Sequence, residues 1–301
     1  MIKRTIAITT PCHLSLKMEQ MLVRSKLIES DAGRTVPIED MGMLLVEHEQ
    51  VTVTQGLLAK LLEHNVAVVN CNAQHHPVGM LLNFQGNSTQ TETFIAQAEA
   101  SKPLKKQLWQ QVVKAKINNQ GTILNAMGQD GGRLLKLAQE VRSGDTDNRE
   151  SAAAVFYWPR LFKTIPHFLR DPEGPYPNNV LNYGYAILRA TVARALAGSG
   201  LHPTLGLFHR NRYNAFCLAD DMMEPYRPLV DQVVAGIVLG RSADQTELDQ
   251  TTKIDLLRTP TLDVEMNGKM RPLMVAVSET TASLARAYLG TDGVLALPKP
   301  A

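Results

Sequence analysis

The stretch TETFIAQAEASKPLKKQLWQQVVKAKINN, residues 91–119, marks the point where the sequence changes from a strand-like to a helical character. Its apolar residues recur three and four positions apart, which is the spacing of a helix with one buried face. The same spacing recurs in later stretches, at residues 122–142, 149–169, 178–197, 225–240 and 276–288. Loops rich in glycine, proline and aspartate separate them. We therefore predict a large all-α domain over residues 86–301.

Before this stretch, the sequence favours strands. Short β-rich or apolar runs occupy residues 43–46, 66–71 and 78–82, and they follow loosely alternating runs near the N-terminus. A single short helix is expected over residues 57–64, with Thr54 as its N-cap. A small β-rich domain is thus predicted over residues 1–85, and the fold class of the whole chain is α+β.

Composition limits the class of protein. Of the 301 residues, 44% are hydrophobic and 20% are charged, which is typical of a globular chain. The three cysteines contain no C-x-x-C pair, so we expect them to be reduced and mostly buried. No uninterrupted apolar run approaches the roughly 18 residues of a membrane span, and a cytoplasmic protein is expected. The net charge of +2 means that any nucleic-acid surface must segregate its basic residues.

Glu150 is the first candidate for chemistry. It begins a run in which Ser151 and three alanines follow the acid, and small residues would let another backbone or a DNA strand approach that face. A structural interpretation is also open, because Asp147 and Glu150 have the spacing of a capping box at a helix start.

His209 and Glu224 are the other candidates. His209 ends an apolar run, where a histidine can simply be a satisfied core or turn residue. Asp221 and Glu224 are three positions apart, so one helical turn would place both carboxylates on one face. The same pair could instead be a capping box, because Pro225 and Pro228 indicate a helix start nearby.

Two carboxylates and one imidazole would suit Mg²⁺ or Mn²⁺ and would leave open positions for substrate oxygens. Spacing alone does not bring Glu150, His209 and Glu224 together. Two segments without acids, residues 101–120 and 202–219, suggest phosphate contacts in a nearly neutral chain. The DNA-binding candidates from these segments are Lys105, Lys106, Lys114, Arg210 and Arg212.

Five blocks of the sequence together resemble a known family, CRISPR-associated protein one. They are LWQQVVKAKINNQ (108–120), NRE with its alanine-rich helix (148–150), NVLNYGYAIL (179–188), GLFHRN (206–211) and DMMEPYRPLVD (221–231). Residues 14–17 and 36–41 resemble the usual N-terminal sequence of the family. The sequence as a whole is most similar to the version of the family found in type II systems. Ser151 departs from the glycine that is commonest after the glutamate, and the tail from about residue 241 matches no block.

This resemblance implies a fold, a reaction and partners. The implied fold is an N-terminal β domain followed by a helical domain, and the implied metal ligands are Glu150, His209 and Glu224, with Asp221 as an auxiliary residue. The three ligands are expected to surround one solvent-open point. Implied partners are a second copy of the chain, a dimer of CRISPR-associated protein two, double-stranded DNA (captured fragment and CRISPR repeat), and the type II effector nuclease as a candidate.

The implied activity is that of a metal-dependent DNA integrase. A 3′-hydroxyl of a captured fragment would attack a phosphodiester of the repeat, and this transesterification needs no nucleotide. In agreement, the sequence contains no G-x-x-x-x-G-K-[ST] loop. Two alternatives stay open at this point: a nuclease in which water is the attacking group, and a DNA-binding scaffold without catalysis.

Overall fold

The computed structural model describes residues 3–28, 32–73, 77–241 and 246–301. Its contacts divide the chain into two compact units, residues 1–88 and 89–301. The first unit carries strands and the second carries most of the helices, so the predicted α+β class is confirmed. The described residues include no helix that is long and apolar enough to cross a membrane.

Within its described residues, the first unit contains two four-stranded sheets and one α-helix. Its elements are β1 (Arg4–Ile8), β2 (Cys12–Lys17), β3 (Gln20–Ser25), β4 (Arg34–Pro37), β5 (Met41–Val46), β6 (Thr52–Val53), α1 (Gln55–Glu63), β7 (Ala67–Cys71) and β8 (Pro77–Leu81). One sheet has the order β1-β5-β7-β8 and the other β4-β3-β2-β6. Buried side chains from both sheets and α1, among them Leu14, Leu44 and Leu57, form the core of this unit.

The predicted helix starts earlier than expected, at Gln55, and Thr54 caps it through its backbone carbonyl, which accepts from Leu57 and Leu58. The turn between β2 and β3 was not evident in the sequence. Met18 and Glu19 adopt left-handed backbone angles there, although neither is a residue type that favours this conformation.

The second unit is mostly helical. Its helices are α2 (Gln90–Glu99), α3 (Lys102–Ala126), α4 (Gly132–Glu140), α5 (Arg149–Leu161), α6 (Asn178–Gly198), α7 (Cys217–Met223), α8 (Arg227–Leu239), α9 (Gln250–Leu257) and α10 (Leu273–Tyr288). The prediction of an all-α domain was wrong in one respect, because β9 (Asp263–Met266), β10 (Lys269–Pro272) and β11 (Lys299–Pro300) form a small antiparallel sheet.

Residues 91–119, whose apolar spacing runs on without a gap, hold parts of two helices rather than one. Ser101 accepts a hydrogen bond from the Leu104 amide at 3.3 Å, and Pro103 lies in the first turn of α3. Both features begin a helix, so α2 ends before this point. The new helix, α3, then runs for 25 residues and packs against α4, α5, α7 and α8.

The helices around α3 approach closely at glycines. A Cβ on Gly131 would lie 2.0 Å from the carbonyl oxygen of Gly121, so only glycine permits the turn that returns α4 along α3. A Cβ on Gly184 would lie 2.6 Å from Val230 Cγ1, which brings α6 and α8 together. The free cysteines agree with the sequence prediction, since Cys12 and Cys217 are buried and Cys71 is partly buried.

Candidate functional site

Two carboxylates from different helices meet at one ammonium group. Lys116, on α3, places Nζ 2.6 Å from Glu150 Oε1 and 2.5 Å from Glu224 Oε2. Glu150 is the second residue of α5, and Glu224 follows directly after α7. Residues far apart in the sequence are therefore joined through one lysine side chain.

The second oxygen of Glu224 has a cation of its own. Arg227, in the first turn of α8, places Nε 3.0 Å from Glu224 Oε1. Burial raises the pKa of the Glu224 carboxyl, but Arg227 and Lys116 together outweigh it and the pKa is lowered. Burial likewise lowers the pKa of Lys116, while Glu224 and then Glu150 raise it further than burial lowers it. Glu224, Lys116 and Arg227 are therefore charged near neutral pH.

Glu150 is not needed to cap its own helix. The carboxylate of Asp145 accepts hydrogen bonds from the amides of Arg149 at 2.8 Å and Glu150 at 3.1 Å, and so performs that role. Asp147 pairs with Arg142 at 3.4 Å instead. The capping-box interpretation of Asp147 and Glu150 is therefore wrong, and the Glu150 side chain is directed to Lys116.

Asp221 holds His209 and the loop that precedes it. Asp221 is completely buried, and its Oδ1 lies 2.5 Å from Nδ1 of His209. Its Oδ2 accepts from the amides of Leu207 at 2.6 Å and Phe208 at 2.9 Å. Gly206 allows this approach, because a Cβ there would lie 2.4 Å from the His209 carbonyl oxygen. The capping-box alternative for Asp221 and Glu224 is therefore wrong, since Asp221 binds this loop.

The hydrogen bond that the Asp221 carboxylate accepts from Nδ1 of His209 raises the pKa of His209. Burial lowers this pKa, but Asp221, Glu224 and Asp220 add negative charge that raises it again, so the net shift is upward. His209 is thus close enough to Glu224 to interact with it electrostatically. Its ring also forms a T-shaped contact with the ring of Trp109, with the ring centroids 6.0 Å apart.

The expected arrangement of three ligands around one point is therefore only partly present. Glu150 and Glu224 converge on Lys116, whereas His209 is held by Asp221. Across the described ranges of the chain, no three histidine, cysteine, aspartate or glutamate side chains are arranged to hold a metal ion as they stand. An ammonium group lies between the two glutamates instead.

Sequence reasoning missed the role of Lys116 and grouped it with the basic residues of its segment. A signal was available in its spacing along α3. Val112, Val113 and Gln120, which are buried, lie four before, three before and four after Lys116, so they share its helix face. A lysine on an otherwise buried face needs buried acids as partners.

The predicted DNA-binding residues differ in exposure. Lys106, Arg210 and Arg212 are exposed, whereas Lys105 and Lys114 are partly buried. Burial and the nearby charge of Arg210 lower the pKa of Lys105. The rings of Trp109 and Phe208 are stacked with their centroids 4.6 Å apart, which places the first half of α3 beside the loop that carries His209. The guanidinium of Arg212 lies over the ring of its neighbour, Tyr213, at 4.6 Å.

A further buried carboxylate lies beside the site and was not anticipated. Asp231, on α8, accepts hydrogen bonds from the hydroxyls of Tyr157 on α5, at 3.2 Å, and of Tyr185 on α6. Arg227 lies over the ring of Tyr185 at 4.7 Å and so connects this group to Glu224. Burial raises the pKa of Asp231 to about 7, although the tyrosine hydroxyls and Arg227 lower it in part.

The family model described as CRISPR associated protein Cas1 matches residues 6–261 of this chain. The CRISPR-associated endonuclease Cas1 of Neisseria meningitidis serogroup C (strain 8013) is 38% identical over 283 residues, which cover 93% of this chain and 90% of that protein. A Cas1 endonuclease of Pyrobaculum aerophilum is 26% identical over 275 residues, covering 87% of this chain and 92% of its own.

Among solved structures, a casposase bound to an integration product superimposes with a TM-score of 0.79 at 18% identity, covering 98% of this chain and 93% of that chain. A Cas1 protein from Thermotoga maritima gives a TM-score of 0.75 at 16% identity, and the match covers 95% of this chain and 97% of that chain. A chain of a Cas6-RT-Cas1–Cas2 complex gives 0.73 at 18% identity, covering 97% of this chain and 36% of its own. At these identities the structural likeness concerns the fold.

Proposed function

This chain belongs to the Cas1 family of CRISPR-associated proteins, and on that premise we propose that it is a metal-dependent DNA integrase. It would insert captured DNA fragments into a CRISPR array as new spacers. The observation that carries the proposal is the convergence of Glu150 and Glu224 on one cationic group, with His209 close enough to Glu224 for their charges to interact. Lys116 at this position indicates that the surroundings of the two carboxylates favour a cation.

The residues fit a divalent ion by their chemistry. Carboxylate oxygens are hard ligands that suit Mg²⁺ and Mn²⁺, and one imidazole makes Mn²⁺ equally acceptable. Glu150, His209 and Glu224 would hold the ion, and when bound it would stabilise negative charge on the phosphoryl oxygens of the DNA. Asp221 would act as a positioning residue, because it occupies Nδ1 of His209 and leaves Nε2 as the nitrogen available for a ligand role.

The proposed reaction exchanges one phosphodiester for another. The oxygen of a fragment 3′-hydroxyl forms a bond to phosphorus in the repeat, and the bond from that phosphorus to its own 3′-oxygen breaks. The proton of the attacking hydroxyl is lost and the departing 3′-oxygen gains one, so no external energy source is needed. The predicted DNA-binding residues, Lys105, Lys106, Lys114, Arg210 and Arg212, would position the duplex through its phosphates.

The proposal includes partners. One solved neighbour is a casposase bound to an integration product, and another is a complex named for Cas1 and Cas2. These names support DNA and Cas2 as partners of this chain, and we propose that the DNA is double-stranded and that Cas2 joins as a dimer. A homodimer, and the effector nuclease of a type II system, complete the proposed assembly.

A strand-transfer assay with repeat DNA, a short duplex, Mn²⁺ and the cognate Cas2 tests the proposal. Glu150→Ala, His209→Ala and Glu224→Ala should each lower strand transfer by about a hundredfold or more, which is the usual effect of removing a group that stabilises charge in the reaction. Glu99→Ala, an exposed acid on α2, is the control and should retain activity. A site variant that integrates at the wild-type rate would remove its residue from the proposed site.

The same assay separates the alternative functions by their products. A hydrolytic nuclease, which the word endonuclease in the names of the relatives favours, would give free ends rather than joined strands. A scaffold would bind DNA without any strand chemistry and without a requirement for metal. Circular dichroism of each variant shows whether loss of activity comes from unfolding, because removing one partner of a buried ion pair is costly.

A further inference from the structure

Lys116 occupies the position between the two proposed carboxylate ligands. Its ammonium contacts one oxygen of Glu150 and one oxygen of Glu224, at 2.6 and 2.5 Å. Only 13% of the lysine side chain is exposed to solvent. Water is therefore a minor competitor for these contacts, and the lysine contributes to the neutralisation of both carboxylates.

We propose that Lys116 is an internal competitor of the divalent ion. It neutralises Glu150 and Glu224 while the metal is absent, and it must leave at least one of them when the metal binds. The inference rests on the proposed function, in which these two carboxylates hold the metal. The competition sets a threshold concentration, which the ion must exceed before it displaces the lysine.

The two oxygens of Glu224 show why the lysine must move. Oε1 is engaged by Arg227 at 3.0 Å, so Oε2 is the oxygen for which Lys116 and a metal ion compete. An ammonium has no lone pair and cannot share in coordination. Two cations on one oxygen would also repel each other strongly in a partly buried site.

Arg227 is a poorer candidate for displacement. Its planar guanidinium lies over the ring of Tyr185 at 4.7 Å, and it is three residues from Glu224 at the start of the next helix. Lys116 instead has a flexible four-carbon stem and a charge that rotamer changes can relocate. It is also the cation that contacts both proposed ligands.

Binding of Mn²⁺ alone, without DNA, tests the inference through the paramagnetic resonance signal of the free ion. In the whole chain, Lys116→Met should bind Mn²⁺ at least about tenfold more tightly than the wild type, because a nearby positive charge has been removed. Lys116→Arg retains the charge and should not tighten binding. Lys136→Met, at an exposed position on α4, is the control for loss of a lysine elsewhere in the same unit and should not change the affinity.

The outcomes separate this inference from the proposed function. One outcome is that Mn²⁺ binding disappears in Glu150→Gln and Glu224→Gln but is unchanged or weaker in Lys116→Met. This outcome would overturn the proposed competition and would still support the metal site. Mn²⁺ that binds neither the wild type nor Lys116→Met overturns the metal site, and the competition with it.

A second measurement uses the wild-type chain and does not depend on the folding of a variant. Acetic anhydride modifies accessible lysines, and mass spectrometry quantifies the modified fraction at each one. Saturating Mn²⁺ should raise acetylation of Lys116 severalfold, because the ammonium is released from the two carboxylates, and should leave Lys114 unchanged. Equal modification of Lys116 with and without bound Mn²⁺ would overturn the inference.

Discussion

Asp231 is a buried carboxylate with an unusual set of partners. Both of its hydrogen bonds come from tyrosine hydroxyls, Tyr157 and Tyr185, on two other helices. The cations that lower its pKa are Arg227 on its own helix and Lys116 on α3, yet burial outweighs them and the pKa is about 7. Asp231 therefore ties α5, α6 and α8 together at some electrostatic cost above neutral pH.

This electrostatic cost predicts that the stability of the protein depends on pH. Folded Asp231 keeps its proton up to about pH 7, whereas the unfolded residue loses it near pH 4. The folded state binds more protons across this window, so the free energy of unfolding falls as the pH rises through it. Asp231→Asn cannot titrate, and its unfolding free energy relative to wild type should grow by about 2–3 kcal/mol between pH 5 and pH 8.

Urea denaturation at several pH values measures this difference, and Asp263→Asn on the exposed face of β9 serves as the control. A difference that stays constant from pH 5 to pH 8 would mean that Asp231 is ionised throughout, with Arg227 as its counter-charge. Subtracting the two curves removes the contributions of other titrating groups, such as His209, that both proteins share.

The sequence could nominate individual site residues but could not choose between explanations for them. Glu150 and Glu224 each had a spacing that suited a helix cap as well as a metal ligand. Contacts between residues far apart in the sequence decide between these explanations. Lys116 contacts both acids, and Asp221 accepts hydrogen bonds from the amides before His209. No local sequence pattern pointed to Asp231, because its partners, Tyr157 and Tyr185, are far from it in the sequence.

At the scale of elements, α3 is the helix around which the site is built. Its 25 residues include five lysines and no acid, but the lysines do not share one role. Lys102 and Lys106 are exposed near its start, and Lys116 is directed inward to Glu150 and Glu224. The first half of the helix is thus available to phosphates, and the middle belongs to the site.

This division predicts the behaviour of DNA binding. Charge reversal at Lys105, Lys106 or Arg210 should weaken binding to all sequences alike, and should reduce the slope of affinity against salt by about one for each phosphate that the variant no longer neutralises. Fluorescence anisotropy over a series of salt concentrations measures both quantities. Lys136→Glu, exposed on α4, is the control for a change of net charge alone.

Long amphipathic helices were predicted well from the sequence, but their breaks were not. The apolar pattern of residues 91–119 continues across Ser101, where a side-chain cap and a proline start a new helix. The small sheet of β9, β10 and β11 was missed because its strands have two to four residues, too few to establish an alternating pattern. Short elements depend on tertiary contacts that periodicity does not record.

At the scale of the whole molecule, all residues of the candidate site belong to the second unit. Residues 89–301 contain Lys116, Glu150, His209, Glu224 and Asp231, and they form a compact set of contacts with their own buried helices. The first unit has a separate core of strands around α1. Each unit therefore has the buried apolar surface that independent folding requires.

We expect a fragment of residues 89–301 to fold by itself. It should show a cooperative thermal transition by circular dichroism at 222 nm, with a helical signal per residue above that of the full chain. The full-length protein, measured at the same concentration, is the reference. A fragment with no transition would show that the second unit depends on the first for its stability.

The long separations within the site also set an order of events during synthesis. Lys116 and Glu150 leave the ribosome close together, whereas Glu224 and Arg227 follow Lys116 by about a hundred residues. At roughly 5–20 residues per second, this interval lasts on the order of 5–20 s. From the synthesis of Glu150 until that of Glu224, Lys116 is available to Glu150, while the second carboxylate that contacts this lysine has not yet been made. The two carboxylates of the site are thus synthesised one at a time. Glu150 follows its cation, Lys116, and Glu224 is followed within three residues by its second cation, Arg227.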